Sequence, residues 1–138
     1  MSAVFQGRSI CNGLAEGEAL VTRQGISFWG GVDPETGIVT EVNHELYGKK
    51  LTGKILVLLS IKGSAGGLWI IIRLAKNKQG PKAIIVPQAD TILVGAVIMG
   101  GIPTVDSLPI NPSQAFKSGD WLKVDGTKGT VEVIRSNR

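Results

Sequence analysis

Between Ile55 and Asp106 the chain repeats one pattern, a short apolar run followed by a stretch of helical spacing, and no other feature narrows its fold so far. Ile55 to Leu59 is continuously apolar, as suits a strand covered on both faces. Leu68 to Lys78 reads as a helix. Leu68, Ile71, Ile72 and Ala75 fall at i, i+3, i+4 and i+7, Lys76 and Lys78 favour its C-terminal end, and Gly80-Pro81 stops it. Ala83 to Val86 is a second buried strand. Asp90 can cap a helix over Thr91 to Met99, Gly100-Gly101 ends it, and Ile102 to Asp106 is a third strand. Strand, helix, strand, helix, strand is the βαβ pattern of a small parallel sheet.

The flanking sequence is β-rich and punctuated by glycine. Ala3 to Ile10 and Gly17 to Thr22 read as strands around a Cys11-Asn12-Gly13 turn, and Gly119 to Gly126 and Gly129 to Val133 as alternating strands around a second turn. The expected fold is therefore α/β, a β-barrel-like layer joined to a small parallel sheet with helices, in a single domain over residues 1–138. Its size and 43% hydrophobic content suffice for a core. Asp33-Pro34-Glu35-Thr36-Gly37 is a turn sequence. Gly30-Gly31, after Phe28-Trp29, also suits close approach of backbone to a ligand or another chain.

The first apolar run ends in Gly63-Ser64-Ala65-Gly66-Gly67 and then changes to helical periodicity. Such a junction aims a hydroxyl, backbone N–H groups and a helix N-terminus at one point, which suits an anionic ligand. Ser64 reads either as a helix cap or as a group that contacts or deprotonates a substrate. A Walker-type phosphate loop is excluded, since no Lys-Ser/Thr follows the glycines. His44, the sole histidine, reads as a turn or surface residue or as a substrate or phosphocarrier group. Asp33 either closes its turn or serves chemistry. Trp29 and Trp69 suit packing, and Trp29 beside two glycines also suits the wall of a pocket.

Charge and cysteine content narrow the classes further. The net charge of +4 is spread from Arg8 to Arg138 without a run longer than Lys49-Lys50, and aromatics are 5%, so nucleic-acid binding is not expected. Cys11 is the one cysteine, which excludes an intrachain disulfide and a cluster built from this chain's thiolates alone. The N-terminal stretch carries Arg8, Glu16 and Glu18 without a continuous apolar core, arguing against a signal peptide. Apolar runs such as Ile92 to Met99 fall short of the roughly 20 residues of a membrane span. A cytoplasmic setting without membrane association is expected.

Phe28-Trp29-Gly30-Gly31-Val32-Asp33-Pro34-Glu35-Thr36-Gly37, His44-Glu45-Leu46-Tyr47-Gly48, Lys62-Gly63-Ser64, Pro81-Lys82-Ala83-Ile84-Ile85 and Gly101-Ile102-Pro103-Thr104-Val105-Asp106 resemble, in order, the small subunit or swivel domain of the aconitase X family. The resemblance covers about residues 3 to 134. It implies a swivelling β/β/α fold and a hydro-lyase in which a large subunit or domain carries an iron or iron–sulfur centre, with no cofactor bound by this chain. It implies that Ser64 corresponds to the family's catalytic serine. The family pattern reads Gly-Arg-Gly-Ser, and here Lys62 stands in place of Arg, keeping the charge without the bidentate fork. Family substrates include mevalonate 5-phosphate and cis-3-hydroxyproline, both 3-hydroxy acids that lose water.

The reading that follows is the small subunit of a two-subunit dehydratase. The partner's metal acts as Lewis acid on the leaving hydroxyl while Ser64 takes the α-proton. Ser64 is held as alkoxide by Lys62, the loop amides and the helix N-terminus. Lys62, Gly63, Ala65, Gly66, Gly30, Gly31, Asp33 and His44 form the expected substrate-binding set. The rival readings are a non-catalytic carrier module that moves a group on His44 and a structural adaptor that docks through Trp29-Gly30-Gly31.

Overall fold

A computed structural model describes residues 3–63 and 65–137. Among these, eight strands occur in the order β1 (Ala3–Gln6), β2 (Arg8–Cys11), β3 (Leu14–Val21), β4 (Ile55–Val57), β5 (Ala83–Ile85), β6 (Thr104–Asp106), β7 (Trp121–Asp125) and β8 (Thr130–Arg135). A kinked helical turn, α1 (Phe28–Gly31), lies between β3 and β4. Helix α2 (Gly66–Lys76) joins β4 to β5, α3 (Thr91–Gly100) joins β5 to β6, and a short α4 (Pro112–Ala115) precedes β7.

The parallel unit is as expected. Strands β4, β5 and β6 run parallel, with Ile55 opposite Ala83 and Ile84 opposite Thr104, and β3, expected over Gly17 to Thr22 in the flanking layer, joins them as a fourth. The continuous apolar runs are buried on both faces because alternate side chains enter different cores. Ile55, Val57, Ala83 and Ile85 point into one core with Leu122, Val124, Val131 and Phe116. Leu56, Leu58, Ile84 and Val86 point into the other, beneath α2, α3 and the segment 26–51.

The barrel-like layer and the parallel sheet are parts of one eight-stranded sheet of order β1-β8-β7-β3-β4-β5-β6-β2. The two halves share β3, whose residues Leu14 to Glu18 pair with β7 and Ala19 to Val21 with β4. The strands at the two ends of the order, β1 and β2, are consecutive in sequence through Gly7, so the sheet is nearly closed. This corrects the single strand expected over Ala3 to Ile10. A Cβ on Gly7 would strike the Asp106 carbonyl, and here the chain leaves β8 for β6.

Helix α3 has the ends expected of it, with Asp90 accepting from the Leu93 N–H at 2.8 Å and Gly101 in the left-handed region at φ +69°. Helix α2 starts two residues earlier than expected and turns a different face inward. Gly67, Ile70, Ile71 and Leu74 are buried, whereas Ile72 and Ala75 are only half-buried. Five consecutive apolar residues from Leu68 to Ile72 leave the phase of the stripe open. The face that carries Ile70, Ile71 and Leu74 enters the core with Phe28, Leu93 and Val97. Among the described residues no helix is long and apolar enough to cross a membrane.

Candidate active site

Past the C-terminal end of β4 the chain is zipped to the segment that follows β3. Leu59 N–H donates to Gln24 O at 3.1 Å, Ile26 N–H to Ser60 O at 3.0 Å, and Lys62 N–H to Ile26 O at 2.9 Å. These bonds fix the approach to α2, whose cap position is held by Ala65 in helical conformation without a side-chain cap. The end of a parallel strand followed by a helix N-terminus is where open α/β folds gather anionic ligands. Ser64, the expected catalytic residue, lies outside the described residues.

The Trp29-Gly30-Gly31 segment packs directly on this junction. Phe28 is buried and anchors it, while Trp29 is 65% exposed. The Trp29 ring lies over Gly66, where a Cβ would come within 3.2 Å of its Cδ2 and press the indole outward. Gly30 takes φ +79° and faces open space. Gly31 is buried against Glu41, and its carbonyl accepts from the Thr40 and Glu41 N–H groups at 2.8 and 3.1 Å. Lys62, Gly63, Ala65 and Gly66 are thus brought together with Gly30 and Gly31.

Glu41 was not among the expected site residues. Its Oε2 accepts from Lys62 Nζ at 2.7 Å and its Oε1 from the Ser27 N–H at 2.9 Å. Burial pushes the Glu41 carboxyl up, but the hydrogen bonds from Lys62 and Ser27 and the Lys62 charge outweigh it, and the net shift is downward. In sequence, Glu41 is one acid lodged between two turns, with no periodicity to mark it. Asp106 was missed as well. Buried at the end of β6, it accepts from Arg8 Nε and Nη2 at 2.9 and 2.7 Å and from the Ala89 N–H at 2.8 Å. Burial raises its pKa, but the Arg8 hydrogen bond leads the contacts that lower it, and they prevail.

Two expected site residues serve the loop itself. His44 is 6% exposed, its Nε2–H donating to Gly25 O at 2.9 Å while its Nδ1 accepts from the Leu46 N–H at 3.0 Å, so both ring nitrogens are engaged by backbone. Asp33 Oδ1 accepts from the Glu35 N–H at 2.9 Å and its carbonyl from the Gly37 N–H at 2.7 Å, which closes the turn. Among the described residues no group of three or more His, Cys, Asp or Glu is placed to hold a metal ion.

Comparison with known proteins places this arrangement in context. The model of the aconitase X swivel domain matches residues 4–133. The phosphomevalonate dehydratase small subunit of Pyrococcus furiosus is 47% identical over 130 residues, covering 94% of this chain and 95% of that protein. Its counterpart in Methanosarcina mazei is 44% identical, covering 95% of this chain and 91% of that protein. The crystal structure of Thermococcus kodakaraensis aconitase X in its holo-form superposes with a TM-score of 0.91 at 44% identity, over 96% of this chain and 99% of that one.

Proposed function

The chain belongs to the aconitase X swivel-domain family, and on that premise we propose that it is the small subunit of a two-subunit dehydratase acting on mevalonate 5-phosphate. The observation that carries this reading is the near full-length likeness, at 42–47% identity, to proteins named phosphomevalonate dehydratase small subunit. The geometry supports it, since Lys62 and the start of α2 offer positive charge to a substrate with a carboxylate at one end and a phosphate at the other. Residues 1–138 act as one swivel domain in the cytoplasm. An iron or iron–sulfur centre belongs, on this reading, to the large subunit.

The reaction removes the proton on the carbon next to the carboxylate and the hydroxyl on the following carbon. The C–H electron pair becomes the new C=C bond, the C–O pair leaves with the hydroxyl, and proton and hydroxyl together make water. Ser64 is the proposed base. A serine hydroxyl is a weak base at its ordinary pKa, so it needs the field of Lys62, the loop amides and the α2 N-terminus to act as alkoxide. Lys62, Gly63, Ala65, Gly66 and Gly30 face the substrate across the cleft shared with the large subunit, and Gly31, buried against Glu41, supports them from behind. Asp33 and His44 build the loop that carries them.

The complex with the large subunit, assayed for loss of water from mevalonate 5-phosphate and from cis-3-hydroxyproline, tests the reading. Turnover of the phosphate ester is expected, with Ser64→Ala lowering the rate about 10²–10⁴-fold at unchanged substrate binding. Preference for the amino acid overturns the substrate. A Ser64→Ala complex that turns over normally but is about 1 kcal/mol less stable makes Ser64 a helix cap instead.

A further inference from the structure

Ion pairs between flexible surface side chains contribute little, because holding two long side chains in register costs entropy and solvent screens the charges. The Glu41–Lys62 pair differs in having both partners tied to backbone. The Glu41 carboxylate is only 20% exposed, and its second oxygen is occupied by the Ser27 N–H. Its main chain is anchored by the bond from its N–H to Gly31 O, and that of Lys62 by the bond to Ile26 O. Lys62 itself remains 48% exposed, and among the described residues its ammonium, which has three donors, bonds Glu41.

We propose that Glu41 is a positioning residue, which fixes the Lys62 ammonium at the start of α2 and couples it, through Ser27, to the Trp29-Gly30-Gly31 segment. The proposal rests on the reading of residues 62–66 as the catalytic loop. A carboxylate beside the lysine weakens the attraction of the site for an anion, so Glu41 contributes no affinity of its own. Its contribution is to placement, and a charge already in place need not reorganise as the reaction proceeds. Glu41 touches Lys62, Ser27 and Gly31 and does not act on the substrate directly.

Kinetics of the assembled two-subunit enzyme with mevalonate 5-phosphate test this in a cycle of Glu41→Gln, Lys62→Met and the double variant. Glutamine keeps an oxygen for the Ser27 N–H and removes the charge that holds Lys62. Expected for E41Q is a kcat lowered about 10- to 100-fold with KM unchanged or lower, since Lys62 loses its counter-ion. The double variant should be no slower than K62M, because nothing remains to be positioned. The proposal is overturned if E41Q stays within about twofold of wild type, or if the two losses multiply. It is overturned too if E41Q fails to assemble or melts more than about 5 °C lower, which makes Glu41 a prop of the fold. Absence of turnover by the wild-type complex fails the underlying reading itself and takes this proposal with it, an outcome distinct from normal wild-type turnover with an additive cycle.

Discussion

The parallel unit, residues 55–106, and the segment 22–50 packed on it share one apolar core but differ in what fixes their loops. In the first, alternate residues of β4 and β5 enter two apolar cores, and α2 and α3 close one of them. In the second, side chains of one short stretch grip the backbone of another. Glu41 takes the Ser27 N–H, His44 takes Gly25 O, and Glu45 takes the Arg23 N–H at 2.7 Å together with the Thr22 hydroxyl. Apolar burial is non-directional and sets a scaffold, whereas hydrogen bonds have direction and place individual atoms. The segment that borders the candidate site is anchored in the first way, through Ile26, Phe28, Val32, Val39 and Leu46, and its loops are set in the second.

The largest effect is expected where the scaffold is opened. Leu74 on α2 is fully buried, and Leu74→Ala removes its contacts and leaves a cavity, costing about 2–5 kcal/mol. Chemical denaturation should show that loss, while the activity of the folded fraction of the assembled enzyme stays close to wild type. A variant of normal stability and low activity would break the division between scaffold and site.

A smaller effect, of another kind, is expected at His44. His44→Ala leaves Gly25 O and the Leu46 N–H, both on buried residues, without their partner, at about 1–3 kcal/mol. If His44 is a clamp, the melting temperature falls and KM changes only as the loop loosens. If it binds substrate, KM rises at unchanged melting temperature, and the assignment to the loop is lost.

The same division explains what could be read from the amino-acid sequence. Periodicity and punctuation were enough for β4, α2, β5, α3 and β6, down to the Asp90 cap and the Gly101 stop. They failed at the phase of α2, where consecutive apolar residues carry no phase, and at Gly7, where a contact with Asp106 breaks one strand into two. For the candidate site, glycine and charge beside an apolar run point to Lys62, Gly63, Ala65 and Gly66, and paired glycines after Phe28-Trp29 to Gly30 and Gly31. Glu41 is not marked in this way, because its role is set by Ser27 and Lys62, 14 and 21 residues away. Asp33 and His44 stood out for residue type, and residue type does not reveal that backbone groups already occupy them.

The smallest expected effect concerns acid. Glu45 has its pKa lowered chiefly by the hydrogen bond from Thr22, which together with the Arg23 N–H outweighs burial. A carboxylate whose folded pKa is depressed holds its proton less readily than in the unfolded chain. Its stabilisation is therefore present above the ordinary glutamate range, near about pH 4.3, and is lost as pH falls through the folded value. Glu41 obeys the same sign, and so does Asp106 in the parallel unit, so wild-type stability should decline in acid from both regions. Glu45→Gln separates them. Its melting temperature should lie below wild type at about pH 7 and approach it at about pH 3.5, whereas the deficit of Leu74→Ala, which rests on burial, should be the same at both. A Glu45→Gln deficit that does not shrink in acid would mean that its contacts act by shape alone, and the electrostatic account of the clamp would fail.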